Sequence, residues 1–141
     1  MRLAVIDGQG GGIGKALVEK CRKTFNEEVE ILALGTNSLA TSLMLKAGAK
    51  EGATGENAII YNAAKVDIII GPMGIVCSNS LLGELTPLMA RAIAESPAKK
   101  ILIPISRCNV VVAGVENKPL PQYIDDAMEM IKAIFRDAAS K

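Results

Sequence analysis

Asp7-Gly8-Gln9-Gly10-Gly11-Gly12-Ile13-Gly14-Lys15 is a glycine-rich stretch between an apolar run at residues 3–6 and a segment of helical periodicity that begins at Ile13. A strand that ends in a glycine turn and leads into a helix directs backbone N–H groups and the positive end of the helix dipole to one point. Glycine also permits positive φ and lets a ligand come close to the backbone. The stretch therefore predicts a phosphate site. The alternative is a glycine turn that only packs the helix against the strand.

The rest of the chain alternates between apolar runs and helical patterns. Five runs have the composition of strands buried on both faces: residues 3–6, 29–34, 66–70, 101–105 and 110–115. Helices are predicted from Ile13, over 39–47, from near Thr54, from Pro87 after a Thr86 cap, and from near 119–121. This order predicts an α/β fold, a single-domain Rossmann-like, doubly wound, mostly parallel sheet of about five or six strands over residues 1–141.

The connection before the last predicted strand is short. Only residues 106–109 separate the runs 101–105 and 110–115, too few for a parallel crossover. We therefore expect the final strand to run antiparallel at an edge of the sheet.

The composition excludes several kinds of chemistry. Since the chain contains no His, it has no His general base and no His ligand for zinc or iron. Cys21, Cys77 and Cys108 are widely spaced, so we expect neither a metal nor a disulfide framework and interpret Cys77 and Cys108 as small core residues. A formal net charge of +1 predicts no nucleic-acid partner. The apolar runs are too short to span a membrane and no signal peptide fits the start, which favours a cytoplasmic protein.

The spacing of the glycines distinguishes between phosphate-binding motifs. The G-x-G-x-x-G pattern fails at its last position, and both the ordinary P-loop and its partition-ATPase variant lack a magnesium-binding hydroxyl because Ala16 follows the lysine. Gly8, Gly12 and Gly14 satisfy G-x-x-x-G-x-G, and here the sequence resembles the short-chain dehydrogenases. The resemblance implies a dinucleotide phosphate ligand. Asp7 stands where that family has Thr, and its carboxylate can accept hydrogen bonds from the loop amides.

The end of the second predicted strand lacks the acidic residue that usually holds the ribose hydroxyls of NAD. Gly35, Thr36 and Asn37 follow that strand instead. Their small polar groups can bind a 2′-phosphate, or they can cap the next helix. An NADP-like ligand or a mononucleotide is therefore predicted ahead of NAD.

Two further segments follow predicted strands and should reach the same edge of the sheet as the glycine loop. Ser78 and Asn79 are candidates to hydrogen-bond a ribose or a base. Arg107 is a candidate to bind a phosphate through two hydrogen bonds, and a solvated turn residue is the alternative. The predicted cofactor-binding residues are Asp7, Gly8, Gln9, Gly10, Gly11, Gly12, Ile13, Gly14, Gly35, Thr36, Asn37, Ser78, Asn79 and Arg107.

Tyr61 and Lys65 match the Tyr-x-x-x-Lys pair of the same dehydrogenases. We interpret the match as a coincidence, because it comes much sooner after the glycine loop than the family's pair does. Catalytic residues therefore stay unassigned, and binding of a nucleotide-like small molecule without chemistry is predicted. The alternative is a small NADP-dependent oxidoreductase or a nucleotide-dependent transferase.

Residues 71–85 are unusually apolar for a loop. Their large apolar side chains are Met73, Ile75, Val76, Leu81, Leu82 and Leu85. Because exposing so many apolar groups to water is unfavourable, the segment predicts a homo-oligomer, most simply a dimer, joined through 71–85. A lid over the ligand is the alternative.

Residues 7–15, 33–37, 52–57 and 107–109 carry a second resemblance, to a family of small bacterial proteins of unknown function. This resemblance spans nearly the full length of the chain. It implies one compact domain with a site built from these segments, and it implies no particular reaction.

Overall fold

A parallel sheet of five strands lies at the centre of the computed structural model, which describes residues 1–105 and 108–140. The strands are β1 (Arg2–Asp7), β2 (Glu30–Gly35), β3 (Glu51–Thr54), β4 (Ile68–Pro72) and β5 (Lys99–Ile103). Their order is β3-β2-β1-β4-β5, and each neighbouring pair is parallel. The helices are α1 (Gly12–Phe25), α2 (Ser38–Ala47), α3 (Glu56–Ala63), α4 (Pro87–Glu95) and α5 (Leu120–Ala139). The predicted Rossmann-like α/β fold is confirmed.

Helices cover both faces of the sheet. Because successive side chains of a strand point to opposite faces, one strand contributes residues to both cores. In β1, Leu3 and Val5 belong to the core that α1, α2 and α5 cover. Ala4 and Ile6 belong to the core that α3 and α4 cover. All four are fully buried, and burying a Leu, Ile or Val side chain contributes about 1.5–3 kcal/mol. The continuous apolar run at 3–6 is therefore the sequence of a central strand.

Local hydrogen bonds fix where the helices begin. Asn37 Oδ1 accepts from the Ala40 amide at 2.9 Å and caps α2. Thr86 Oγ1 accepts from the Met89 amide at 3.1 Å and caps α4, as the sequence predicts. The residue before α1 is Gly11, which has no side chain to act as a cap. The N-terminal amides of α1 therefore differ from those of α2 and α4.

The strand predictions were wrong at both edges of the sheet. The expected antiparallel strand at 110–115 does not form; Val111 is 93% exposed, and the Val115 amide bonds within the segment to the Val112 carbonyl. The strand β3 was not predicted, because its four residues are mostly exposed and show no apolar run. Strand propensity reflects fit to a partly buried surface, so an exposed edge strand leaves little signal and three valines in a row do not by themselves make a strand.

The order of the strands reverses at β1. From β1 the chain builds one side of the sheet through β2 and β3, and it then returns to build the other side through β4 and β5. Ligands of such sheets lie outside the carboxyl ends of the strands at this point. Those ends are Asp7 in β1 and Pro72 in β4, so the glycine loop lies beside the segment that follows β4.

One helix, α5, is as long as a membrane span, but its sequence is strongly amphipathic. Tyr123, Ile124, Ala127, Met128 and Ile131 of α5 pack on the sheet. Within the part of the chain that the structure describes, no helix is both long and apolar enough to cross a membrane.

Candidate functional site

The glycine loop makes a tight turn between β1 and α1. The Gly11 amide donates to the Gly8 carbonyl at 2.9 Å, and Gly11 has a φ of 74°, which suits glycine. The helix then begins at Gly12. Among the described residues, the amides of Gly10, Gly12 and Ile13 have no hydrogen-bond acceptor. These donors remain available at the positive end of the α1 dipole.

The Asp7 carboxylate accepts hydrogen bonds from both ends of the loop. Its Oδ1 accepts from the Gly8 amide at 2.8 Å, and its Oδ2 accepts from the Gly14 amide at 2.6 Å. Burial raises the pKa of this carboxyl, these two hydrogen bonds oppose the rise, and the negative charge of Glu84 adds to it. Asp7 is only 4% exposed, so its structural effect is to hold the loop against the start of α1.

The chain packs closely around some glycines of the loop and leaves space beside others. A Cβ on Gly14 would lie 2.7 Å from the Met44 sulfur, and a Cβ on Gly8 would overlap a neighbouring hydroxyl. These two positions need glycine because the chain packs closely there. A Cβ on Gly10 or Gly12 would meet no atom within 4 Å. Close packing within the chain therefore does not explain Gly10 and Gly12, and both residues line an open cavity.

Glu84 approaches the loop from the segment before α4. Its Oε1 accepts from the Gln9 amide at 2.8 Å, from Thr36 Oγ1 at 2.7 Å and from Asn37 Nδ2 at 2.8 Å. Burial raises the pKa of Glu84, but the three hydrogen bonds outweigh burial and hold the pKa below its usual value. Glu84 lies 75 residues from Gln9, so no local motif could reveal it. It brings to the end of β2 the carboxylate that the sequence of that strand lacks.

Two cavities open beside the glycine loop. The first has a volume of about 210 Å³ and is lined by residues 7–13, by Pro72 at the end of β4, and by Gly74, Ser80, Leu81 and Ile105. The second has a volume of about 410 Å³ and is lined by residues 78–82, Gln9 and Cys108. Because Gln9 and residues 80–81 line both, the two cavities are adjacent. The predicted residues 78 and 79 therefore lie beside the predicted glycine loop.

The other predicted site residues have different surroundings. Gly35 lines neither cavity and packs against Thr41, whose hydroxyl a Cβ would overlap. Thr36 and Asn37 lie at the loop, but their polar groups already bind Glu84. Arg107 lies outside the described residues.

The wall formed by residues 78–83 has an unusual backbone. Asn79, Leu81 and Leu82 have φ values of 65°, 56° and 55°, a region that leucine rarely adopts. The buried Ser80 anchors this wall, since its hydroxyl donates to the Gly74 carbonyl. Left-handed residues cost about 1–3 kcal/mol each and persist where the surrounding structure requires them, often beside ligands.

Residues 71–85 are mostly buried within the chain itself. Ile75 and Leu85 are fully buried in the core under α3 and α4, and Met73 is 8% exposed. Only Leu82 among the large apolar side chains of this segment is exposed, at 94%. The premise of the predicted interface, a largely exposed apolar segment, is therefore wrong.

A larger cavity of about 550 Å³ lies at the other side of β5, under residues 112–118 and the start of α5. Its walls are mostly apolar, and three of its polar side chains contact other groups of the chain. Lys118 Nζ lies 3.1 Å from Asp126 Oδ2, and the Tyr123 hydroxyl donates to the Glu116 carbonyl. No residue of the glycine loop lines this cavity, so it is separate from the predicted phosphate site.

Tyr61 and Lys65 lie just before the amino end of β4, whereas the glycine loop follows the carboxyl end of β1. Tyr61 is near the carboxyl end of α3, it is 62% exposed, and the Lys65 Nζ lies 4.6 Å from its ring centre. This cation–π contact on the surface agrees with the interpretation that the match to the dehydrogenase pair is a coincidence.

Cys77 and Cys108 are not core residues, contrary to the prediction. Both are half-exposed, and their sulfur atoms are 3.0 Å apart. Cys21 does lie in the core, at 1% exposed. Within residues 1–105 and 108–140, no group of three or more His, Cys, Asp or Glu residues is arranged to hold a metal ion.

Comparisons with known proteins identify the family and two structural neighbours. A dodecameric FMN-dependent UbiX-like decarboxylase from Escherichia coli O157:H7 is 16% identical with a TM-score of 0.48, over 94% of this chain and 76% of the other. A universal stress protein in complex with cAMP is 15% identical with a TM-score of 0.41, over 72% and 95% of the two chains. No curated protein matches this chain. The model of a domain of unknown function, DUF3842, matches residues 2–136, and the chain therefore belongs to that family.

Proposed function

We propose that the edge of the sheet at the glycine loop binds a nucleotide through its phosphate group, which accepts hydrogen bonds from the amides of Gly10, Gly12 and Ile13. The observation that carries this proposal is the open space where Cβ atoms of Gly10 and Gly12 would lie, at the start of a helix whose N-cap residue, Gly11, has no side chain. Backbone donors and the helix dipole together favour an anion at such a position.

The nucleoside lies in the adjacent cavity of about 410 Å³. Its neighbours there are Gln9, Ser78 and Asn79, whose side chains both donate and accept hydrogen bonds. The cavity lies within the range of volumes typical of small-molecule sites. The left-handed residues 79, 81 and 82 shape its wall.

Glu84 decides which nucleotide is favoured. The sequence predicts an NADP-like ligand because β2 lacks an acid at its end, but the Glu84 carboxylate occupies that place and binds Thr36 and Asn37. A 2′-phosphate held by Thr36 and Asn37 would meet this negative charge, whereas a ribose without that phosphate would bring no like charge to it. The ligand we propose is therefore a nucleotide with an unphosphorylated ribose, and NADP is the alternative.

Thermal unfolding in the presence of ADP, NAD and NADP tests this assignment. A ligand at about 100 times its Kd raises the free energy of unfolding by about 2.7 kcal/mol. We expect ADP or NAD to raise Tm more than NADP does. In Gly12→Val the new Cβ meets no atom of the chain within 4 Å and adds bulk beside the proposed phosphate position, so we expect the shift to vanish.

The matched control is Lys23→Val, which introduces the same side chain at an exposed position near the far end of α1. It should keep the full ligand-induced shift. Retention of the shift in Gly12→Val, or no shift of the wild type with any of the three nucleotides, would overturn the proposal.

Self-association remains a proposal, now restricted to Leu82. This side chain is the exposed one of residues 71–85 and lies at the rim of the proposed nucleotide cavity. We expect the wild type to sediment above 14.8 kDa and Leu82→Glu to sediment as a monomer with unchanged circular dichroism. A wild type that stays at 14.8 kDa at high concentration would contradict this proposal.

A further inference from the structure

We propose that Cys77 and Cys108 are a site of reversible oxidation, at which a low-molecular-weight disulfide such as glutathione disulfide forms an intramolecular bridge between them. The first observation is their separation. Cys77 follows the short 3-10 helix after β4, Cys108 follows β5, and their sulfur atoms are 3.0 Å apart. A disulfide requires a separation of about 2.05 Å, so a movement of about 1 Å closes the bond.

The second observation is access. Cys77 and Cys108 are both half-exposed, and Cys108 lines the open cavity of about 410 Å³ beside Gln9. A small oxidant can therefore reach the pair from solvent. Cys21 differs in both respects, since it is 1% exposed under α1 and belongs to the core.

The reaction balances by two successive thiol–disulfide exchanges. One cysteine thiolate attacks a sulfur of the oxidant, a mixed disulfide forms, and one small thiolate leaves. The second cysteine thiolate attacks the protein sulfur of the mixed disulfide, the Cys77–Cys108 bond forms, and the second small thiolate leaves. The two protons lost by the cysteines end on the two small thiols, and two electrons pass from the protein to the oxidant.

The position of the pair makes the second exchange fast and its product reducible. The attacking sulfur is already in contact with its target, so the intramolecular step competes well against a second molecule of the oxidant. Burial and the neighbouring Cys108 thiol raise the pKa of Cys77 to about 11, so the pair reacts faster as the pH rises. Half-exposed disulfides are also open to attack by reducing thiols, which restores the dithiol.

The bridge would join the loops that follow the neighbouring strands β4 and β5 at the carboxyl edge of the sheet. This inference stands on the cysteine geometry alone and does not depend on nucleotide binding. Its effect on the molecule is a cross-link between residues 77 and 108, which restricts the unfolded chain and stabilises the fold.

Treating the reduced full-length protein with glutathione disulfide at mildly alkaline pH, followed by intact-mass and peptide analysis, tests the proposal. We expect the mass to fall by two hydrogen atoms, one peptide to contain Cys77 joined to Cys108, and Cys21 to remain a thiol. Cys77→Ser and Cys108→Ser should each retain one glutathione on the remaining cysteine. The matched control, Cys21→Ser, should form the bridge as the wild type does.

A second measurement separates a bridge that fits the fold from one that distorts it. Oxidation should raise the Tm of the wild type and of Cys21→Ser by about 5 °C or more, and dithiothreitol should reverse the change. Stable glutathione adducts on both cysteines, cross-links between chains, or a fall in Tm on oxidation would each overturn the proposal.

Discussion

Replacing Glu84 by Gln or Ala tests whether this carboxylate holds the loops of the site together. In the wild type, one oxygen of Glu84 accepts three hydrogen bonds, from Gln9, Thr36 and Asn37. Hydrogen bonds to a charged acceptor contribute about 1.5–3 kcal/mol each in a buried setting. Because Glu84 is half-exposed, water replaces part of this energy, and we expect a loss of about 2 kcal/mol in Glu84→Ala.

Glu84→Gln separates charge from geometry, since it keeps an accepting oxygen and loses the negative charge. We expect it to lower the free energy of unfolding by about 1 kcal/mol near neutral pH, equivalent to a fall in Tm of about 3 °C for a chain of this size. Urea unfolding followed by circular dichroism measures the difference directly.

The pH dependence gives the sharper measurement. The pKa of Glu84 is lower in the folded protein than its ordinary value of 4.5. Its contribution to stability is therefore complete above that value and is lost as the pH falls through the folded pKa. The difference between wild type and Glu84→Gln should be full near neutral pH and should shrink below 4.5. Equal stability near neutral pH, or a difference that persists unchanged in acid, would refute this reasoning.

Three further predictions concern other residues of the chain. Gly14→Ala should lower the free energy of unfolding by about 2 kcal/mol because the new Cβ crowds Asp7, whereas Gly12→Ala should leave this free energy unchanged or raise it slightly. Urea unfolding of the two variants measures the difference, and equal values would contradict the packing argument. Burial raises the pKa of Cys21 to about 11, so iodoacetamide should label this thiol only after the protein is unfolded. In the Cys77→Ser/Cys108→Ser double variant Cys21 is the one remaining cysteine, and labelling of this variant in its native state would contradict the prediction. Tyr61→Phe should change the free energy of unfolding by less than about 0.5 kcal/mol and leave any nucleotide-induced Tm shift unaltered, since the ring is on the surface and away from the glycine loop. Loss of the shift in the same thermal assay would restore the dehydrogenase interpretation.

The central part of the fold could be predicted because its sequence patterns are local. The apolar runs at 3–6, 29–34 and 66–70 overlap the three inner strands, whose central positions are buried on both faces and so need apolar residues. The caps at Asn37 and Thr86 likewise act within three residues of chain. The edges of the sheet are different, because an edge strand such as β3 needs no apolar face.

The candidate site could be predicted only where it depends on the backbone. The glycine pattern indicated a strand–turn–helix, and the structure has one there. Glu84 and the contact between Cys77 and Cys108 come from residues distant in the chain, so no spacing in the sequence indicates them. For the same reason Thr36 and Asn37 were identified as polar residues near the loop, while their carboxylate partner was not.

The central position of β1 also predicts different hydrogen-exchange rates for the two walls of the candidate site, the glycine loop and residues 78–83. β1 has hydrogen-bonded neighbours on both sides and cores on both faces, so its amides should exchange with solvent hydrogen only when the whole protein unfolds. The glycine loop begins where this strand ends. The facing wall at 78–83 is held by hydrogen bonds between residues close in the sequence and carries the exposed Leu82. Its amides should therefore exchange through small local openings. The two walls of the candidate site should therefore differ in stability, with the glycine loop set firmly in position and the facing wall opening more readily.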